Sequence, residues 1–161
     1  MARAVLNIPV TVVMERKQVS RGRWSVPSWR AIGVAAGGRL ASSEADGIPV
    51  RSGGDEDQLV WGGIPMELHS DWAESYRFNL IGENPSLYVI CSPGEDDSLR
   101  PMMVTANFDE ASAHLEADSQ VFPTPIPPDI YKQMEKFVVE YYVPKPIRKR
   151  KRKKWSESPD R

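Results

Sequence analysis

The chain has 161 residues, 40% of them apolar, with 21 Lys and Arg against 22 Asp and Glu and a single cysteine. That length suits one buried core rather than two, no run of roughly 18 apolar residues is present to span a bilayer, and one thiol excludes an internal disulfide or a multi-cysteine zinc site. The formal charge of −1 conceals a division: residues 1–143 hold 12 basic and 20 acidic side chains, whereas eight basic residues crowd positions 145–154.

The first ten residues lack the unbroken apolar core of a secretory signal, so a soluble, cytoplasmic protein is expected. The β-branched run at 8–14 predicts a first strand, and Pro9 places it at a sheet edge or a strand start. A Trp- and Arg-rich connection at 20–30 leads into a second strand at about 29–35, closed by Gly37 and Gly38. With five glycines, Pro49 and a closing acidic run, residues 37–57 predict a flexible loop.

From Gln58 onward short apolar segments recur at 59–61, 64–69, 75–81, 87–91 and 102–106, separated by turn compositions such as Gly82-Glu83-Asn84-Pro85. Turns at this spacing indicate an antiparallel meander rather than βαβ units. Met66 and Leu68 alternate with Glu67 and His69, and Tyr76, Phe78 and Leu80 alternate with Arg77 and Asn79, which gives each expected strand one wet face. Cys91 sits in an apolar run and reads as a small buried hydrophobe.

Two helices are expected after the strands. Asn107 is a good N-cap, with Glu110 as capping-box partner, for a helix over 108–117. A second helix runs from about 127 to 142, with Ile130, Met134, Phe137, Val138 and Tyr141 on one face, and Pro144 and Pro146 end it. The expected architecture is therefore α+β: an antiparallel sheet of about five to seven strands, curled toward a half-barrel and covered by two C-terminal helices. Residues 1–143 are expected to form this single domain, and 144–161 a disordered basic tail.

Three features bear on function. The first is the basic arm, Lys145, Arg148, Lys149, Arg150, Lys151, Arg152, Lys153 and Lys154. Such a run can bind nucleic acid through its phosphates, can steer the chain to an acidic protein surface, or can serve as a solubilising tail. Residues 40–143 hold 5 basic and 19 acidic side chains, which would repel a polyanion, so an acidic protein suits the arm as well as nucleic acid does. The second feature is Trp24, Trp29 and Arg30, with Arg21 and Arg23 interleaved: residue types that anchor protein interfaces when exposed, or cover one end of a sheet when not.

The third feature is the polar cluster of Glu67, His69, Glu74 and Tyr76. A turn at 70–73 would bring an imidazole beside carboxylates, which is acid–base material or a wet sheet face. No metal-ligand spacing, phosphate loop or nucleophile elbow accompanies it, so no catalytic residue, metal or cofactor is assigned. His114 stands alone on its helix and reads as a surface residue.

Taken in order, residues 8–16, 24–30, 66–80, 85–90, 103–105, 137–143 and 149–154 resemble an uncharacterised bacterial family classified only as a domain of unknown function. Genes of that family often lie beside those for molybdenum-dependent formate dehydrogenase and its maturation proteins. The resemblance implies an accessory role there and no known reaction. The reading that results is a non-catalytic accessory protein that binds another protein, with a nucleic-acid-binding module and a small enzyme or ligand-binding domain as alternatives.

Overall fold

In the computed structural model, residues 3–37, 47–53, 56–94, 98–117 and 119–144 are described. The elements are β1 (Val5–Asn7), β2 (Val10–Arg21), β3 (Trp24–Ala36), β4 (Ile48–Gly53), β5 (Glu56–Ile64), β6 (Glu67–His69), a 3-10 turn (Ser70–Trp72), α1 (Ala73–Ile81), β7 (Ser86–Pro93), β8 (Leu99–Thr105), α2 (Phe108–Glu116), β9 (Gln120–Pro125) and α3 (Pro128–Tyr141). The architecture is α+β, with every strand ladder antiparallel. One sheet has the order β3-β2-β5-β4, a second β8-β7-β9, and β1 pairs with β6. Among the described residues there are thus nine strands in three sheets and three helices, where the sequence suggested one sheet of five to seven strands and two helices.

Prolines account for the division into sheets. A ribbon of β1 and β2 runs antiparallel to β5 and β6, but Pro9 and Pro65 interrupt its two sides. Proline has no N–H to give a ladder, and the chain uses the interruption to connect sheets. The Ile8 N–H donates to the Met66 carbonyl at 2.7 Å, the Val104 N–H donates to the Pro65 carbonyl at 3.0 Å, and Met66 forms a parallel bridge with Val104. β8 is thereby tied to the ribbon's far side. Of the other strand prolines, Pro27, Pro49, Pro101, Pro123 and Pro125 lie in the edge strands β3, β4, β8 and β9, where a missing donor disrupts no second ladder, and Pro93 ends the central β7 beyond its ladder with β9.

The sheets share one core. Val10, Val12, Met14, Trp61, Met66, Leu68, Leu87, Val89, Cys91 and Val104 are buried in it together with Ile130 and Met134 of α3. β3 packs beside β9 without joining its ladder. α3 presents the stripe Ile130, Met134, Phe137 and Val138 to the core as its spacing predicts, and its Tyr131 hydroxyl donates to the Leu80 carbonyl of α1 at 3.1 Å. Asn107 caps α2 by accepting from the Asp109 N–H at 3.0 Å. Cys91 is fully buried, and burial pushes its thiol up to about 12.

Three expectations are corrected. Residues 75–81, read as a strand, lie in α1, where Ala73, Tyr76 and Leu80 are buried at helical spacing and Phe78 faces outward. Within the segment expected as a loop, Ile48–Gly53 form β4 on the edge of β5. The connection expected at 20–30 is instead the far end of a long hairpin, because β2 runs to Arg21 and β3 begins at Trp24. The expected disordered tail at 144–161 lies outside the described residues apart from Pro144.

The role of α3 as the core's cover is checked by urea denaturation. Met134→Ala should lower stability by about 2–5 kcal/mol, the range for a truncated core residue. Val139, 84% exposed on the same helix, should tolerate alanine within about 0.5 kcal/mol.

Candidate functional site

Gly22 has φ of +64° in the two-residue turn that joins Arg21 to Trp24, a conformation glycine adopts without the steric cost other residues meet. β5 accompanies β2 only as far as Lys17, which pairs with Glu56. Beyond that point β2 has only β3 beside it, so the last four residues of β2 project as a two-stranded tip. Such a tip is about 13 Å long at the usual strand rise. Trp24 is 76% exposed there, next to the exposed Arg21, Arg23 and Val26.

The three residues singled out in this segment do not share one surface. Trp24 and Trp29 are an odd number of positions apart, and side chains alternate along a strand. Trp24, Val26 and Arg30 point outward, whereas Trp29 turns inward and packs against the core. The Arg16 guanidinium lies 5.6 Å from the Trp29 ring and bonds Asp57 at 2.7 Å. Arg30 is committed to Glu15 through Nε at 2.8 Å and Nη2 at 3.3 Å. That two-pronged hydrogen bond holds the Glu15 carboxyl below the usual carboxylate range, as do the Arg30 charge and a bond from Gln58, against the opposing effect of desolvation.

The polar cluster forms differently from the expected hairpin. The 3-10 turn leads directly into α1, placing Tyr76 on a helix beneath β6. The His69 N–H donates to the Tyr76 hydroxyl at 2.9 Å, His69 Nε2 lies 3.2 Å from Glu67 Oε2, and the imidazole sits 4.5 Å from the Trp72 ring. Glu67, His69 and Tyr76 are therefore neighbours, and Glu74 is exposed in the first turn of α1. Tyr76 is fully buried; burial pushes its phenol up to about 12, so it stays neutral at ordinary pH. A groove of about 470 Å³ has Glu67, Ile90, Met102 and His114 in its wall, and His69 is not part of that wall.

The eight residues of the basic arm, Lys145 and Arg148 to Lys154, lie outside the described residues. Among the described residues no group of three or more His, Cys, Asp or Glu is placed to hold a metal, and no helix is long and apolar enough to cross a membrane. One feature was not legible in the sequence: a groove between α1 and α2 lined by Phe78, Tyr88 and Phe108. Its rings come from three separate elements, and the assignment of 75–81 to a strand hid Phe78.

The Glu15–Arg30 pair braces the root of the hairpin, and its contribution has a defined pH dependence. Because the folded carboxyl titrates below its unfolded value, the pair stabilises fully above the ordinary carboxylate range and loses its effect as pH falls through the folded value. Arg30→Met should therefore lower the urea midpoint at pH 7, and the gap from the parent chain should narrow when the same titration is run near the bottom of the carboxylate range.

The pattern of a family described as protein of unknown function (DUF3305) matches residues 9–152. No curated protein and no solved structure matches the chain. A match over that share of the sequence shows the family, and the chain belongs to it.

Proposed function

We propose that this member of the family is a non-catalytic accessory protein that binds another protein through the tip of its β2–β3 hairpin. The observation that carries the reading is Trp24, 76% exposed at the end of a projecting hairpin. A large indole left in water contributes nothing to the fold that its burial would, and its area becomes useful when a partner covers it; tryptophan and arginine are the side chains most enriched among residues that dominate interface energy. Arg21 and Arg23 flank it with exposed positive charge and suit an acidic partner surface.

The groups around His69 support the same reading. Tyr76 spends its hydroxyl on a backbone amide, and its neutral phenol is a poor base near pH 7. His69 and Glu67 pair with each other on the surface. These groups are satisfied locally, by one another.

The partner suggested by the gene-neighbour resemblance is a molybdenum-dependent formate dehydrogenase or a protein of its maturation, in the cytoplasm. The basic arm, Lys145 and Arg148 to Lys154, would add long-range attraction toward an acidic surface and raise the association rate more than the final affinity.

Tagged full-length chain, recovered from its host after nuclease treatment, tests the proposal. One protein should co-purify in stoichiometric amount, and Trp24→Ala should reduce its recovery at least tenfold, the effect of losing about 1.4 kcal/mol or more. Thermal unfolding should be almost unchanged in that variant. Recovery of nucleic acid alone before nuclease treatment, with no protein after it, would transfer the function to the arm. A large loss of stability in Trp24→Ala would instead make the indole a structural residue.

A further inference from the structure

Between α1 and α2 lies a groove of about 300 Å³ whose wall includes Phe78, Asn79, Tyr88, Asn107, Phe108 and Asp109. Phe78 is 59% exposed and Phe108 63% exposed, although both stand beside a well-packed sheet. The rings of Tyr88 and Phe108 meet edge to face, with centroids 5.8 Å apart and planes inclined at 65°.

The polar groups in the wall divide into two kinds. Asn79 donates to the carbonyls of Ser86 at 2.7 Å and Ala106 at 3.0 Å and accepts from the Ser86 N–H at 2.9 Å. The Asn107 carbonyl oxygen is used in capping α2. Asn79 is thus committed on both its donor and acceptor sides to the wall, and the Asn107 oxygen to the helix cap. What the groove offers is aromatic surface and the exposed carboxylate of Asp109, with no lysine or arginine in its lining.

An aromatic face carries a negative quadrupole and attracts a cation placed over it. Helix α2 contributes about half a positive charge at its N-terminus, but Asp109 and Glu110 in its first turn outweigh that. The wider surface acts in the same direction, since residues 40–143 hold 19 acidic and 5 basic side chains. The neighbouring Arg77 is engaged outside the wall, its guanidinium 6.0 Å from the Phe78 ring and 5.1 Å from the Tyr142 ring. Of the natural cations, a guanidinium fits best: it is planar, weakly hydrated, stacks on aromatic rings and turns its N–H fork to a carboxylate, whereas an ammonium is a strongly hydrated point charge.

We propose that this groove is a docking site for an arginine side chain presented by a cationic segment of a partner protein. It includes no residue of the hairpin, so it stands independently of the role given to Trp24.

Fluorescence anisotropy on the full-length chain tests it with two labelled heptapeptides of equal charge, one alternating glycine with arginine and the other glycine with lysine. The arginine peptide should bind about two- to fivefold more tightly than the lysine peptide, the size of one exposed cation–π contact. Phe108→Ala and Phe78→Ala should each remove most of that preference, Asp109→Asn should weaken both peptides, and Trp24→Ala should change neither. Both phenylalanines are exposed, so the variants should keep the parent's circular dichroism and melting temperature. Equal binding of the two peptides, insensitive to either phenylalanine, would mean diffuse attraction to an acidic surface and would overturn the proposal, as would no binding of the arginine peptide.

Discussion

At residues 65 and 66 the backbone gives up one ladder and joins another, and the arrangement of all three sheets depends on it. Pro65 cannot donate, but its carbonyl accepts from Val104, while the next carbonyl, that of Met66, accepts from Ile8 on the opposite side. Met66 and Val104 are both buried, so these hydrogen bonds are made away from water, where leaving a backbone group unpaired would cost about 1–3 kcal/mol. The junction connects the first half of the chain, built around β2 and β5, to the second, built around β7. Because the side chains of Met66 and Leu68 are buried on the same side of the ribbon, the core runs through the junction without a break.

A continuous core explains how a hairpin can project and remain ordered. Its root is held on both faces: Glu15 and Arg30 bond on the outside, and Arg16, Trp29 and Asp57 meet on the inside. Beyond Lys17 the hairpin has no further strand partner on β2, and Trp24 and Val26 at its tip face water. The aromatic groove follows from the same geometry at another place. α1 and α2 are both short, nine residues each; α1 buries Ala73, Tyr76 and Leu80 and α2 buries Ala111, leaving Phe78 and Phe108 outside.

The elements legible in the sequence were those whose signals are local. Asn107 caps α2 from two residues away, and the α3 stripe repeats within a single helix. α1 was hidden because Tyr76, Phe78 and Leu80 also alternate at period two; the exposure of Phe78 and the burial of Ala73 show that the operative spacing is the helical one. β4 and β9 were not legible because each is only six residues long and carries proline inside it, and both are edge strands whose existence depends on ladders with β5 and β7. The opposite fates of Trp24 and Trp29 follow from strand parity, which requires knowing that β3 begins at the turn and not five residues later.

Amide hydrogen exchange on the intact chain tests the central claim, that the junction at Met66 binds the sheets into one core from which the hairpin tip projects. The Ile8 and Val104 amides should exchange with the slowest class, through global unfolding, while those of Ser20 and Ser25 at the tip exchange through local opening orders of magnitude faster. If Ile8 and Val104 exchanged as fast as the tip, the sheets would be separate units and the junction would not be what holds them together.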